Sequence, residues 1–173
     1  MLISKETNAA LNEQIGNEFF ASLQYVAVAA HFDRESLPEL AAHFYLQAEE
    51  ERAHAMRMVQ FVVDAGGAIE IPAIKAPSVG FSTPERAAKL ALDHEIEVTH
   101  QINRLMDLAE KQNDHITKTF LQWFVTEQLE EVSSMDTLHR IIKRAGDDLL
   151  HVEEYLARRK PAAGGAAVTA PRA

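Results

Sequence analysis

Apolar positions along the first 65 residues recur at helical rather than alternating spacing. Leu11, Ile15, Ser22, Tyr25, Ala29 and Phe32 form one stripe of small or apolar residues, and residues 5–32 hold no proline and only one glycine, Gly16. After the break DRES, a second stripe through Leu40, Phe44, Met58 and Val62 predicts a helix from about Leu37 to Ala65, closed by Gly66 and Gly67. The stretch GGAIEIPAIKAPSVGFST, residues 66–83, has no helical period. Ser82 or Thr83 is placed to cap a third helix opening at Pro84 and running to about Asn113. A fourth spans about Asp114 to Ala145 and stops at Gly146, and DDLLHVEEYLARR predicts a short fifth.

The connections order these helices. Two breaks are short, so helices one and two, and three and four, should form antiparallel hairpins. Helix two, roughly 29 residues, would be roughly 43 Å long. An extended 18-residue connector reaches roughly 59 Å, enough to run back along it. The expected fold is all-α, a four-helix bundle with one long crossover and a short fifth C-terminal helix. It would occupy residues 1–159, with 160–173 as a flexible tail.

The stripes are broken at one place on each long helix. Glu18 lies between Ile15 and Ser22, and Glu51 within the stretch AEEERAHAM, residues 48–56. Glu95 lies beside Val98, and Glu131 between Phe124 and Met135. All four are near mid-helix, so in a bundle they meet at one level. Each buried charge costs several kcal/mol, and neighbouring like charges repel further. No lysine or arginine shares those stripe positions to neutralise them; bound cations can do so. An oxygen-rich set with one imidazole suits iron or manganese. His54, three residues after Glu51, can reach the same metal. Any one of these glutamates alone could sit at a stripe edge and reach solvent; four at matching depth beside a Glu-x-x-His pair point to a metal centre.

Composition narrows the partners. The net charge of -9 argues against nucleic acid. The absence of cysteine excludes disulfides, zinc-thiolate sites and iron–sulfur clusters. No run of about 18 apolar residues occurs, and the N-terminus lacks a basic region followed by an apolar run, so no membrane span or signal peptide is expected and the expected location is the cytoplasm.

NEFFASLQY (17–25), EEERAHA (49–55), LDHEIEVT (92–99) and FLQWFVTEQLEEV (120–132) resemble the four ligand segments of the bacterial non-haem ferritins. The resemblance covers residues 5 to about 158. It implies an iron-storage protein with ferroxidase activity, oxidising Fe(II) with dioxygen or hydrogen peroxide and depositing Fe(III) mineral in a homo-oligomeric shell of twenty-four subunits. It also implies that Glu18, Glu51 and His54 hold a first iron, with Glu51 bridging to a second held by Glu95 and Glu131 beside Gln128. Tyr25 would lie next to the metals, although a core tyrosine with a satisfied hydroxyl fits its position equally. Glu50, Glu127 and Glu130, with Glu131 shared, correspond to a third iron position; read from sequence alone they could equally be a solvated face.

Departures from related families matter too. Helix four offers Gln128-x-x-Glu131 rather than a second Glu-x-x-His, which makes the two metals inequivalent. Arg52 stands where the haem-bearing relatives have a methionine ligand, so no haem is expected. The apolar AIEIPAI of the connector should pair across a two-fold dimer, and Asp114 is a candidate guide for Fe(II). A di-iron peroxidase or oxygenase, or a non-catalytic metal-binding bundle, are the competing readings.

Overall fold

The computed structural model describes residues 1–159; the predicted tail, 160–173, lies outside the described residues. Five helices follow in order among them: α1 (Lys5–Arg34), α2 (Pro38–Asp64), α3 (Pro84–Lys111), α4 (His115–Ala145) and α5 (Leu150–Arg159). Turns with left-handed Ser36 (φ 60°) and Asn113 (φ 55°) fold α1 onto α2 and α3 onto α4. The architecture is the expected all-α bundle with a single long crossover and an added short helix.

Local chemistry sets the helix starts. Ser4 accepts from the Thr7 amide at 3.0 Å, Thr83 from Arg86 at 3.2 Å with Pro84 behind it, and Asp114 from Thr117 at 2.9 Å. Asp114 also accepts from the Thr117 hydroxyl at 2.6 Å, so both its oxygens serve the start of α4. The start of α2 differs. Leu37 gives it no side-chain cap, and the Glu39 and Leu40 amides donate instead to Glu153 of α5, at 2.8 and 2.9 Å. A carboxylate there also meets the positive end of the α2 dipole.

The crossover lies along α1, held by amide side chains. Asn8 and Asn12 bond Ala68 and Glu70, and Gln24 pairs with both backbone groups of Ser78 at 2.8 and 2.9 Å. Gly16 explains itself here: a Cβ on it would stand 2.7 Å from Pro72 Cγ, so only glycine lets the crossover pass. Ile71, Ile74 and Val79 of the crossover are exposed.

The core is split in two. One apolar cluster contains Tyr25, Phe32, Leu40, Phe44, Leu92, Met135 and Ile142; the other contains Leu11, Ile15, Met58, Val62, Val98, Ile102, Leu121 and Phe124. Each long helix carries its buried glutamate between its contributions to the two clusters. Burying large side chains on both flanks excludes water from the layer between.

Candidate metal centre

Glu18, Glu51, Glu95 and Glu131 are 1%, 1%, 0% and 6% exposed, one from each long helix, and His54 is 6% exposed. The mid-helix positions therefore meet at one level. Glu18, Glu51 and His54 bring one ligand atom each to within 4.8 Å of one another, an arrangement able to hold a metal ion. His54 Nδ1 lies 3.3 Å from Glu51 Oε2. A second group with the same spacing joins His54 to Glu127 and Glu131. The imidazole thus stands where two sets of carboxylates converge, rather than beside the first set alone.

Glu95 is held differently. Its carboxylate accepts a short hydrogen bond from the Tyr25 hydroxyl and another from Gln128 Nε2 at 3.3 Å, and Gln128 also reaches Thr99 Oγ1 at 3.4 Å. Tyr25 is fully buried, with its ring in the core and its hydroxyl bonded to Glu95, the position of a core tyrosine with a satisfied hydroxyl. Val98 and Phe124, 1% and 2% exposed, fill the adjoining core.

The three candidates for a further iron position are not equivalent. Glu127 belongs to the His54–Glu131 group. Glu50 is partly buried and accepts a short hydrogen bond from Gln47. Glu130 is exposed and lines a surface groove with His43, Ser134 and Tyr155.

The electrostatics are those of a site lacking positive charge. Burial, then the charges of Glu95 and Glu18, pushes the Glu51 carboxyl well above the usual carboxylate range. Glu131 is pushed up to about 8 by burial, then by Glu95, Glu50 and Glu127. Glu95 is raised by burial, with the Tyr25 and Gln128 hydrogen bonds pulling the other way. Burial raises Glu50 as well, against the Gln47 hydrogen bond. Tyr25 is raised well above its ordinary value by burial and then by Glu95. Among the described residues no lysine or arginine pairs with the four central glutamates; their only salt bridge is Glu51 to His54. Glu18 Oε2 is buried without a hydrogen-bond partner. A cation held there would satisfy that oxygen and offset the repulsion, so the donor set fits a hard or borderline divalent metal.

Sequence reasoning passed over Gln14, whose amide donates to Glu18 Oε1 at 2.8 Å, and Gln47 beside Glu50. The signal available in the sequence was spacing alone: each glutamine precedes an acidic candidate by one helical turn.

A bundle with one long crossover, whose core is interrupted by a carboxylate–histidine layer, defines the ferritin-like class, and the chain belongs to it: the family model for the ferritin-like domain matches residues 8–145. The chain is 51% identical to ferritin BfrB of Mycolicibacterium smegmatis over 96% of its own length and 91% of that protein. It is 38% identical to a bacterial non-heme ferritin of Staphylococcus aureus over 85% and 89% of the two chains. Among solved structures, an open pore ferritin of Archaeoglobus fulgidus superposes with a TM-score of 0.88 at 33% identity, covering 92% of this chain and 99% of that one. No helix among the described residues is long and apolar enough to cross a membrane.

Proposed function

We propose that this protein takes up Fe(II), oxidises it with dioxygen or hydrogen peroxide at the buried layer, and stores the Fe(III) as mineral. The observation carrying this reading is the convergence of four buried glutamates and His54 with no lysine or arginine paired to them. Iron is the substrate and the cargo. Glu18, Glu51 and His54 receive the first Fe(II); Glu95 and Glu131 receive the second beside Gln128, with Glu51 shared between them. Carboxylate oxygens stabilise Fe(III) more than Fe(II), which favours loss of the electron at this site. Tyr25 orients Glu95 through its hydroxyl. Glu127 and Glu50, with Glu130 toward solvent, provide a further position through which iron passes on.

Storage requires an enclosed volume that one bundle does not have. The similarity to ferritins supports a shell of twenty-four copies in the cytoplasm, with the exposed Ile71 and Ile74 buried against a second subunit. Gel filtration with iron analysis tests both halves. Large particles carrying many iron atoms per subunit are expected; a stable monomer, or saturation at two irons per subunit, would refute storage.

A further inference from the structure

Among the described residues, His54 is the one member common to the two groups able to hold a metal ion, and the groups otherwise come from different helices. The first takes Glu18 from α1 and Glu51 from α2; the second takes Glu127 and Glu131, one turn apart on α4. Both sets therefore offer the same donors, two carboxylates and one imidazole, with ligand atoms within 4.8 Å of one another. They differ in access to water: Glu18 and Glu51 are each 1% exposed, whereas Glu127 is half-buried. The imidazole itself is walled in. The rings of Trp123 and Phe124 stand edge-on to it, with centroids at 5.4 and 5.9 Å, and the Arg57 guanidinium covers Trp123 at 4.1 Å. Glu51 Oε2 lies 3.3 Å from its Nδ1. A neutral imidazole carries its proton on one nitrogen and a single ligating lone pair on the other. Holding an ion in each group at once would require loss of that proton as well.

We propose that His54 serves the two positions alternately: an ion at one excludes a histidine-bound ion at the other, and metal passes outward by exchanging Glu18 and Glu51 for Glu127 and Glu131. The alternation rests on the function proposed above and deepens it. Only ligands exchange in this step, and no electron moves. Because the two donor sets match in charge and type, the ion crosses the desolvated layer without standing uncompensated in it, a state that burial makes costly. The less buried set lies nearer water, which solvates the higher charge of Fe(III) better and gives the exchange its outward direction.

The test locates Co(II) by anomalous X-ray scattering in crystals of the assembled full chain, soaked over a series of concentrations. In the wild type, cobalt occupancies at the two groups should add to no more than one ion per subunit at every concentration. Glu18→Leu removes an oxygen ligand from the first group alone, and the cobalt on His54 should shift to Glu127 and Glu131. Glu18→Gln keeps the shape and a weaker oxygen donor, so it should shift the peak part of the way and keeps the question open to measurement if the leucine variant does not assemble. Glu127→Ala should abolish the outer peak and leave the first one full. Both groups near full occupancy in the same wild-type crystals would overturn the alternation, since His54 would then bridge two ions. Cobalt absent from the outer group in the Glu18 variants would overturn it as well. Wild-type crystals with no cobalt among the buried glutamates would remove the metal centre, and the proposed function with it; cobalt that stays at the first group in every variant removes the alternation alone.

Discussion

Glu18 and Glu51 meet His54 inside the bundle, where all three are buried, whereas Glu127 and Glu131 meet it on the side where Glu50 is half-buried and Glu130 is exposed. The inner carboxylates are also more tightly constrained: Gln14 fixes Glu18, while Tyr25 and Gln128 fix Glu95. On the outer side, Gln47 holds Glu50, and Glu130 lies on a groove wall. Desolvation strengthens every charge interaction and restricts exchange with water. Under the proposed function, this contrast assigns the holding of two ions during oxidation to the inner side and their onward passage to the outer side.

The largest effect should come from Glu51→Gln, which keeps the shape but removes the charge shared between both inner positions. Fast Fe(II) oxidation in stopped flow should drop more than about 100-fold, beyond what loss of a supporting contact costs. The metal-free variant should melt at the same or a higher temperature, since buried repulsion is relieved. A wild-type rate would place Glu51 off the inner site and dissolve the contrast.

Proton binding sharpens the same point. Glu131 moves from 4.5 to about 8 in the folded protein, and Glu51 moves well upward too. Between those values these two carboxyls hold more protons in the folded state than in the unfolded one, so their contribution to stability is fullest below about 4.5 and is lost as pH rises toward about 8; His43, lowered by burial from 6.5 to about 4, contributes in the opposite sense below about 6.5. Thermal melts of metal-free protein should show the carboxyl-driven decline between about 6.5 and 8, where the histidines no longer oppose it. Metal-bound protein needs the carboxylates ionised, so its advantage over the metal-free form should widen as pH rises.

A smaller change is expected on the outer side. Glu127→Gln should leave the first aliquot of Fe(II) oxidised at nearly the wild-type rate and slow later aliquots a few-fold, on the order of 3–10-fold. Sequential additions followed by ferric absorbance measure both quantities. A first aliquot slowed as much as in Glu51→Gln would make the two sides one site.

Glu18, Glu51, Glu95 and Glu131 were legible because each interrupts an apolar stripe at mid-helix, a signal carried entirely by local periodicity. The two hairpins and the crossover followed from connection lengths for the same reason. The sharing of His54 between two groups was not legible, because it depends on side-chain directions across helices rather than on spacing within one. Asp114 read as a candidate guide for Fe(II); that both its oxygens serve the α4 cap was not legible from the sequence. Glu153 gave no signal at all. Its partners, Glu39 and Leu40, are 114 and 113 residues away, and no local pattern announces a cap borrowed over that distance.

The least effect should follow Glu153→Ala, which strips that cap. A loss of about 1 kcal/mol is expected in thermal or denaturant unfolding, with Fe(II) oxidation unchanged. Loss of oxidation along with stability would show that the cap also fixes the part of α2 bearing Glu51 and His54.

The borrowed cap has a consequence for how the chain comes into being. Synthesis proceeds from the N-terminus, so α2 leaves the ribosome with its first amides unsatisfied and keeps them so until residue 153 has followed. The helix that supplies Glu51 and His54 is finished by a residue of α5, the last of the described helices to be made. A chain cut short before α5 would carry Glu18, Glu51, His54, Glu95 and Glu131 and still have an open end on one of its four long helices, exposed to fraying and to proteases. The order in which α2 and α5 are made is thereby written into the hydrogen bonding of the bundle.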